Sequence, residues 1–200
     1  MLSTPTNQRG FSLIELAIGM VIMSILLAAG VPAFSGWIQN TQTRAAAESI
    51  LNGLQLAHAE AVRRNTLVRL DLTDATGGVA WTMGCVNVTA DCPATIQSRS
   101  ANEGGGNARV GASVTALASP IPANEFDTAL AAGASLPAGV SFDGMGRVPA
   151  ANIGTDIAWM DVTNAAKSDA RRMVIIVGTG GQIRMCDPAL VLANNPQGCV

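Results

Sequence analysis

From Gly10 to Phe34 the chain is almost wholly apolar, and Glu15 is the only charged side chain in that run. A helix over residues 11–34 would extend roughly 36 Å at about 1.5 Å per residue, enough to cross a hydrocarbon core about 30 Å thick. An ionised carboxylate inside such a segment costs several kcal/mol unless it is paired. Glu15 therefore requires a partner. Residues 1–10 are short and polar, and Arg9 next to the apolar run holds that end on the cytoplasmic side. Everything beyond the run then lies outside. Ala28-Ala29-Gly30 is a small-residue site of the kind a signal peptidase cuts. A carboxylate in the apolar region weakens a signal peptide, so Glu15 argues against that rival.

The heptapeptide Gly10-Phe11-Ser12-Leu13-Ile14-Glu15-Leu16 resembles the processing site of type IV pilins and of type II secretion pseudopilins. The resemblance implies that a prepilin peptidase cuts between Gly10 and Phe11, that Phe11 is then N-methylated, and that Glu15 becomes the fifth mature residue. The electrostatics fit. A new ammonium on Phe11 would lie one helical turn from Glu15, about 6 Å along the axis, and opposite charges in low dielectric attract strongly. Within one chain the pair lowers the burial cost of both groups. Between chains, Glu15 would neutralise a neighbour's ammonium and set the axial register of a polymer.

No break signal separates this run from a second helical stretch over residues 35–64. Ile50, Leu54, Ala57 and Ala61 recur at helical spacing with Ala47 and Leu51 beside them, while Arg44, Glu48, Glu60 and Arg63 can face water. That apolar stripe should lie on a sheet. Gly30 and Pro32 predict a kink or local loosening, because proline lacks an amide hydrogen and clashes with the preceding turn. A proline here also resembles the pilin pattern. Helix over residues 11–64 would measure about 80 Å, far more than a bilayer crossing needs.

Beyond Asn65 the period changes to two. Residues 68–72 and 79–83 alternate around a turn at 73–78, predicting a hairpin; 157–162 reads as a strand; 173–177 and 182–186 flank Gly178-Thr179-Gly180-Gly181 as a terminal hairpin. Residues 98–122 are small, polar and glycine-rich, and read as a long loop. Gly104-Gly105-Gly106 does not read as a phosphate cradle, since no Lys-Ser/Thr follows. The expected organisation is a leader at 1–10, a transmembrane and assembly half-helix at 11–34, an amphipathic half-helix at 35–64 and a β-rich head at 65–200. The fold class is α+β, a long helix packed on a sheet or β-sandwich-like head.

Four cysteines in a domain placed outside the cytoplasm read as disulfides. Three pairings are open. Loop closure favours near neighbours, Cys85 with Cys92 and Cys186 with Cys199. A metal site is disfavoured by the lack of a Cys-x-x-Cys and by the distance in sequence of the single histidine, His58, from the cysteines. His58 also has no evident nucleophile beside it, so no enzyme and no cofactor is expected. After Asn65, eight basic residues face eleven acidic ones, which argues against diffuse attraction to nucleic acid. Asn87-Val88-Thr89 matches a glycosylation sequon, a pattern that chance supplies often.

Three further segments, His58 to Asn65, Phe142 to Arg147 and Gly181 to Pro188, resemble the GspH/FimT branch of this superfamily. That resemblance implies a minor pilin which helps initiate or cap a type IV pilus, with a type II secretion pseudopilin as the alternative. Its partners would be other major and minor pilins or pseudopilins, the prepilin peptidase, an inner-membrane assembly platform, and membrane lipid before assembly. The location implied is single-pass in a bacterial inner membrane with the head in the periplasm, then the filament. Some FimT-like proteins take up double-stranded DNA through a C-terminal Gly-Arg-x-Arg motif. Here Gln182 replaces the first arginine, Arg184 remains, and Arg171, Arg172 and Arg147 could add to a basic patch. The competing expectation pairs these arginines with Asp169, Asp187, Asp161 or Asp143 on a solvated sheet.

Overall fold

The structure, a computed structural model, describes residues 12–101, 103 and 105–200. One helix, α1 (Leu13–Arg64), is followed by eight strands: β1 (Val68–Leu72), β2 (Trp81–Cys85), β3 (Gln97–Arg99), β4 (Ala108–Ser113), β5 (Ala138–Phe142), β6 (Trp159–Asn164), β7 (Met173–Val177) and β8 (Ile183–Cys186). A short 3-10 helix, Ala150–Asn152, lies between β5 and β6. The chain divides into two compact units, residues 1–38 and 39–200. This is an α+β architecture, as its sequence predicts.

Within the second unit, α1 buries one stripe, Ala46, Ala47, Ile50, Leu54, Ala57 and Ala61, while Leu51 is only half-buried. The stripe joins a core formed with Val68, Leu70, Leu72, Met83, Val140 and Phe142 of one sheet and Val110, Met160, Val162 and Ile175 of the other. Burial of these side chains, not intrinsic propensity, fixes the helix on the sheets. Asn65 ends α1. It adopts a left-handed φ of 48°, its amide donates to the Val62 carbonyl, and the Thr66 amide donates to the Ala61 carbonyl. These two bonds satisfy carbonyls that the helix end would leave open.

Both sheets have four antiparallel strands, ordered β3-β2-β1-β5 and β4-β6-β7-β8. Leu70 opposes Met83 on one side and Val140 on the other, so β1 is central and its alternation places leucine and valine inward. The first and last hairpins form where the period-two pattern puts them. In detail, β2 and β6 begin two residues later than expected, because Thr73 and Ala80 close the first turn through a backbone bond and the chain enters β6 at Trp159.

Two features depart from the sequence reading. The stretch 98–122 is not one loop: Ser98 and Arg99 belong to β3, and residues 108–113 form β4. β4 gains its bonds at long range, pairing with β6 through Val110 and Val162. Its other edge is met by the Gly77 and Ala134 carbonyls, which accept from the Val110 and Ala112 amides. β5 also forms where no strand is expected.

Candidate assembly site

At the start of α1, the Ser12 amide donates to Glu15 Oε2 at 3.1 Å and the Glu15 amide donates to Ser12 Oγ at 3.2 Å. This is a reciprocal capping box: each side chain satisfies an amide that the first turn leaves without a carbonyl. Ser12 is a residue the sequence reading passes over, although its Ser-x-x-Glu spacing is the signal that reveals it. Gly10 and Phe11 lie outside the described residues. Leu13, Ile14, Leu16, Ile18, Met20, Val21, Ile22, Met23, Ile25, Leu26 and Leu27 are all exposed. These positions encircle the helix, so no face of it is covered.

The helix is assigned without a break through Gly30 and Pro32, where an interruption is expected. Pro32 removes the donor to the Ala28 carbonyl, and the turns on either side stay helical. Among the described residues no helix is long and apolar enough to cross a membrane. The helix over residues 13–28 spans about 24 Å.

In the second unit, α1 is held at both ends. Near residue 40, Asn164 Nδ2 donates to the Gln39 carbonyl at 3.3 Å and to Thr43 Oγ1 at 3.2 Å, and Asn107 Nδ2 donates to Gln39 Oε1 at 3.2 Å. At the other end the three segments singled out from the sequence converge. His58 packs edge-on against Phe142 with ring centroids 5.5 Å apart. Gly146, at φ 76°, lies so close that a Cβ there would be 2.3 Å from His58 Nε2; Gly181, at φ 87°, would place one 1.9 Å from the Gly146 carbonyl oxygen. Only glycine meets both the left-handed backbone and the contact. Asp143 shapes this turn: its Oδ1 accepts from the Met145 and Arg147 amides at 2.9 Å. The Arg147 amide, foremost, holds the Asp143 carboxyl below the usual range.

The arginines face partners inside the head. Arg171 pairs with Asp187 and its amide donates to Asn40 Oδ1. Arg172 lies 3.5 Å from buried Asp161 and donates to the Phe126 carbonyl. Arg147 stands 3.8 Å from Asp143, and Arg184 donates to the Cys199 carbonyl at 2.7 Å. Gln182 sits beside the turn at Gly178 and Gly180. Sequence reasoning missed a further ion pair on a buried carboxylate, half-buried Arg69 with Asp156, which also binds Ser141 and Asn152.

Cys85 is bonded to Cys92 and Cys186 to Cys199. The first closes the loop after β2. The second ties the C-terminal residues to β8 beside Phe126 and Trp159, whose rings meet edge to face at 5.3 Å.

Two family descriptions match the chain. The prokaryotic N-terminal methylation motif matches residues 5–31, and type II transport protein GspH matches residues 46–181. Comparison with curated protein sequences finds no match. Among solved structures, the type IV minor pilin FimU of Pseudomonas aeruginosa strain PAO1 is similar in two crystal forms. One has 14% identity, covers 77% of this chain and 95% of that one, and gives a TM-score of 0.47. The other has 16% identity, covers 74% and 94%, and gives 0.43. The GspH description spans α1 from residue 46 to its end and the sheets through the turn at Gly181, and the methylation motif contains Glu15. The chain therefore belongs to the GspH family of pilin-like proteins and carries the prokaryotic N-terminal methylation motif.

Proposed function

We propose that the chain is a minor pilin of the type IV pilus, cut between Gly10 and Phe11, methylated on Phe11, and used to initiate or cap filament assembly. One observation carries the proposal: a helix start capped by Glu15 opens onto apolar side chains exposed on every side. Water does not tolerate such a surface, whereas lipid and a bundle of like helices do. Before assembly the apolar segment would sit in the inner membrane with the head in the periplasm. Prepilin peptidase, an assembly platform and other pilins would then act on it in turn.

After cleavage, Glu15 has two uses. It can go on capping Ser12, or turn to an ammonium on its own or a neighbouring chain. Exchanging a neutral amide for a cation is favourable in low dielectric, and this exchange would couple processing to polymer register. Pro32 supplies a turn already short of one hydrogen bond. The pilus is preferred to the type II secretion pseudopilus on the resemblance of residues 181–188.

A deletion strain scored for surface pili, export of folded enzymes and DNA uptake separates the readings. Loss of pili with secretion intact is expected. Blocked export with normal pili would make it a pseudopilin, and normal pili with failed DNA uptake a DNA receptor. Glu15→Ala should leave cleavage largely intact and reduce incorporation into filaments; equal incorporation would remove the charge-pairing role.

A further inference from the structure

Six aromatic rings other than His58 lie among the described residues, and they divide sharply. Trp81, Trp159, Phe126 and Phe142 are at most 5% exposed, whereas Phe34 is 61% and Trp37 63% exposed. The two exposed rings are not scattered. They stack on each other with centroids 5.8 Å apart and planes 30° from parallel. A stacked pair of large apolar rings left open to solvent, where every other phenylalanine and tryptophan among the described residues is buried, calls for a non-aqueous neighbour.

Their position says which neighbour. Phe34 closes the apolar run, and Trp37 lies one turn later, just before Gln39, Asn40, Thr41 and Gln42. From Leu13 to Phe34 the helix rises about 32 Å, close to the thickness of a hydrocarbon core. With the capped start at the inner face, Phe34 falls at the outer edge of the acyl region and Trp37 at the level of the headgroups. That depth suits indole, whose ring is apolar and whose N–H is polar. No charged side chain lies between Glu15 and Arg44, so basic anchors cannot set the depth at this end.

We infer that Phe34 and Trp37 form an aromatic anchor seated at the outer lipid interface, fixing how far the helix stands out of the membrane before assembly. The inference rests on the membrane-inserted reading above. Anchoring also limits sliding along the bilayer normal, which keeps Glu15 at the depth where a neighbour's ammonium would meet it.

The full chain, reconstituted into phosphatidylethanolamine and phosphatidylglycerol vesicles, provides the test. Trp37 emission is isolated as the difference between the parent and Trp37→Phe. Lipids brominated near the headgroup end of the acyl chains should quench it more than lipids brominated near the bilayer centre. In the double variant F34W/W37F, which moves the reporter about one turn inward, the stronger quenching should shift toward the deeper bromines. A chain that floats with the vesicles but shows no quenching by either lipid, or equal quenching by both, overturns the anchor and leaves the membrane reading standing. Emission that responds only when other pilins are added assigns the rings to subunit contacts and also overturns it. A chain that fails to float overturns the membrane reading itself, and the anchor with it.

Discussion

Asp161 lies on β6 with its side chain buried; Oδ2 accepts from the Leu130 amide at 2.8 Å, and Oδ1 meets no donor among the described residues. Burial pushes its carboxyl above the ordinary range, against the opposing pull of the Leu130 amide and Arg172. A carboxyl raised in the folded state contributes stability that is fully present below its unfolded pKa of about 3.9 and is lost as pH rises through the folded value. Arg172→Met should therefore strand a buried charge and cost about 3–5 kcal/mol at neutral pH, and less at pH near 4. Asp161→Asn should gain stability relative to the parent as pH rises over the same interval. Urea midpoints of both variants across that range check the sign. The sequence named Asp161 as one of four candidate carboxylate partners for Arg147, Arg171, Arg172 and Arg184, and Arg172 does pair with it; its burial and its unpaired oxygen were not legible there. Glu15 was legible, because an acid inside an apolar run is anomalous wherever the chain folds.

For helix α1, the buried stripe at 46, 47, 50, 54, 57 and 61 matches the sequence expectation closely, because a period of 3.6 survives any arrangement of the partner sheet. Leu54 is fully buried among both sheets. Leu54→Ala should cost about 2–5 kcal/mol, read as a lower thermal midpoint in detergent, while exposed Gln55→Ala should be nearly neutral. The strands were less uniformly legible. β1 and the β7–β8 pair carry alternating branched residues and turn glycines. β4 and β5 are built largely from alanine, glycine, serine and valine, so their strand character comes from partners more than 45 residues away. Local propensity is silent at such sites.

Across the whole molecule, the covalent ties and the glycine contacts act at the margins of the sheets. The Cys186–Cys199 bond closes a separation of 13 residues beside the second apolar cluster. Replacing both cysteines with serine should lower stability by about 3 kcal/mol, with the loss concentrated in amide exchange of residues 187–200. Pairing by nearest neighbours was readable from loop closure; the meeting of the helix end with two distant turns was not. That meeting, His58 over Gly146 over Gly181, has an evolutionary consequence. A gene library randomised at codons 146 and 181 should return almost nothing but glycine under selection for folded protein, whereas codon 106, with open space around it, should drift freely. Two codons that cannot vary, and that lie far apart in the gene, would preserve the kinship of such chains after most of their other residues had diverged.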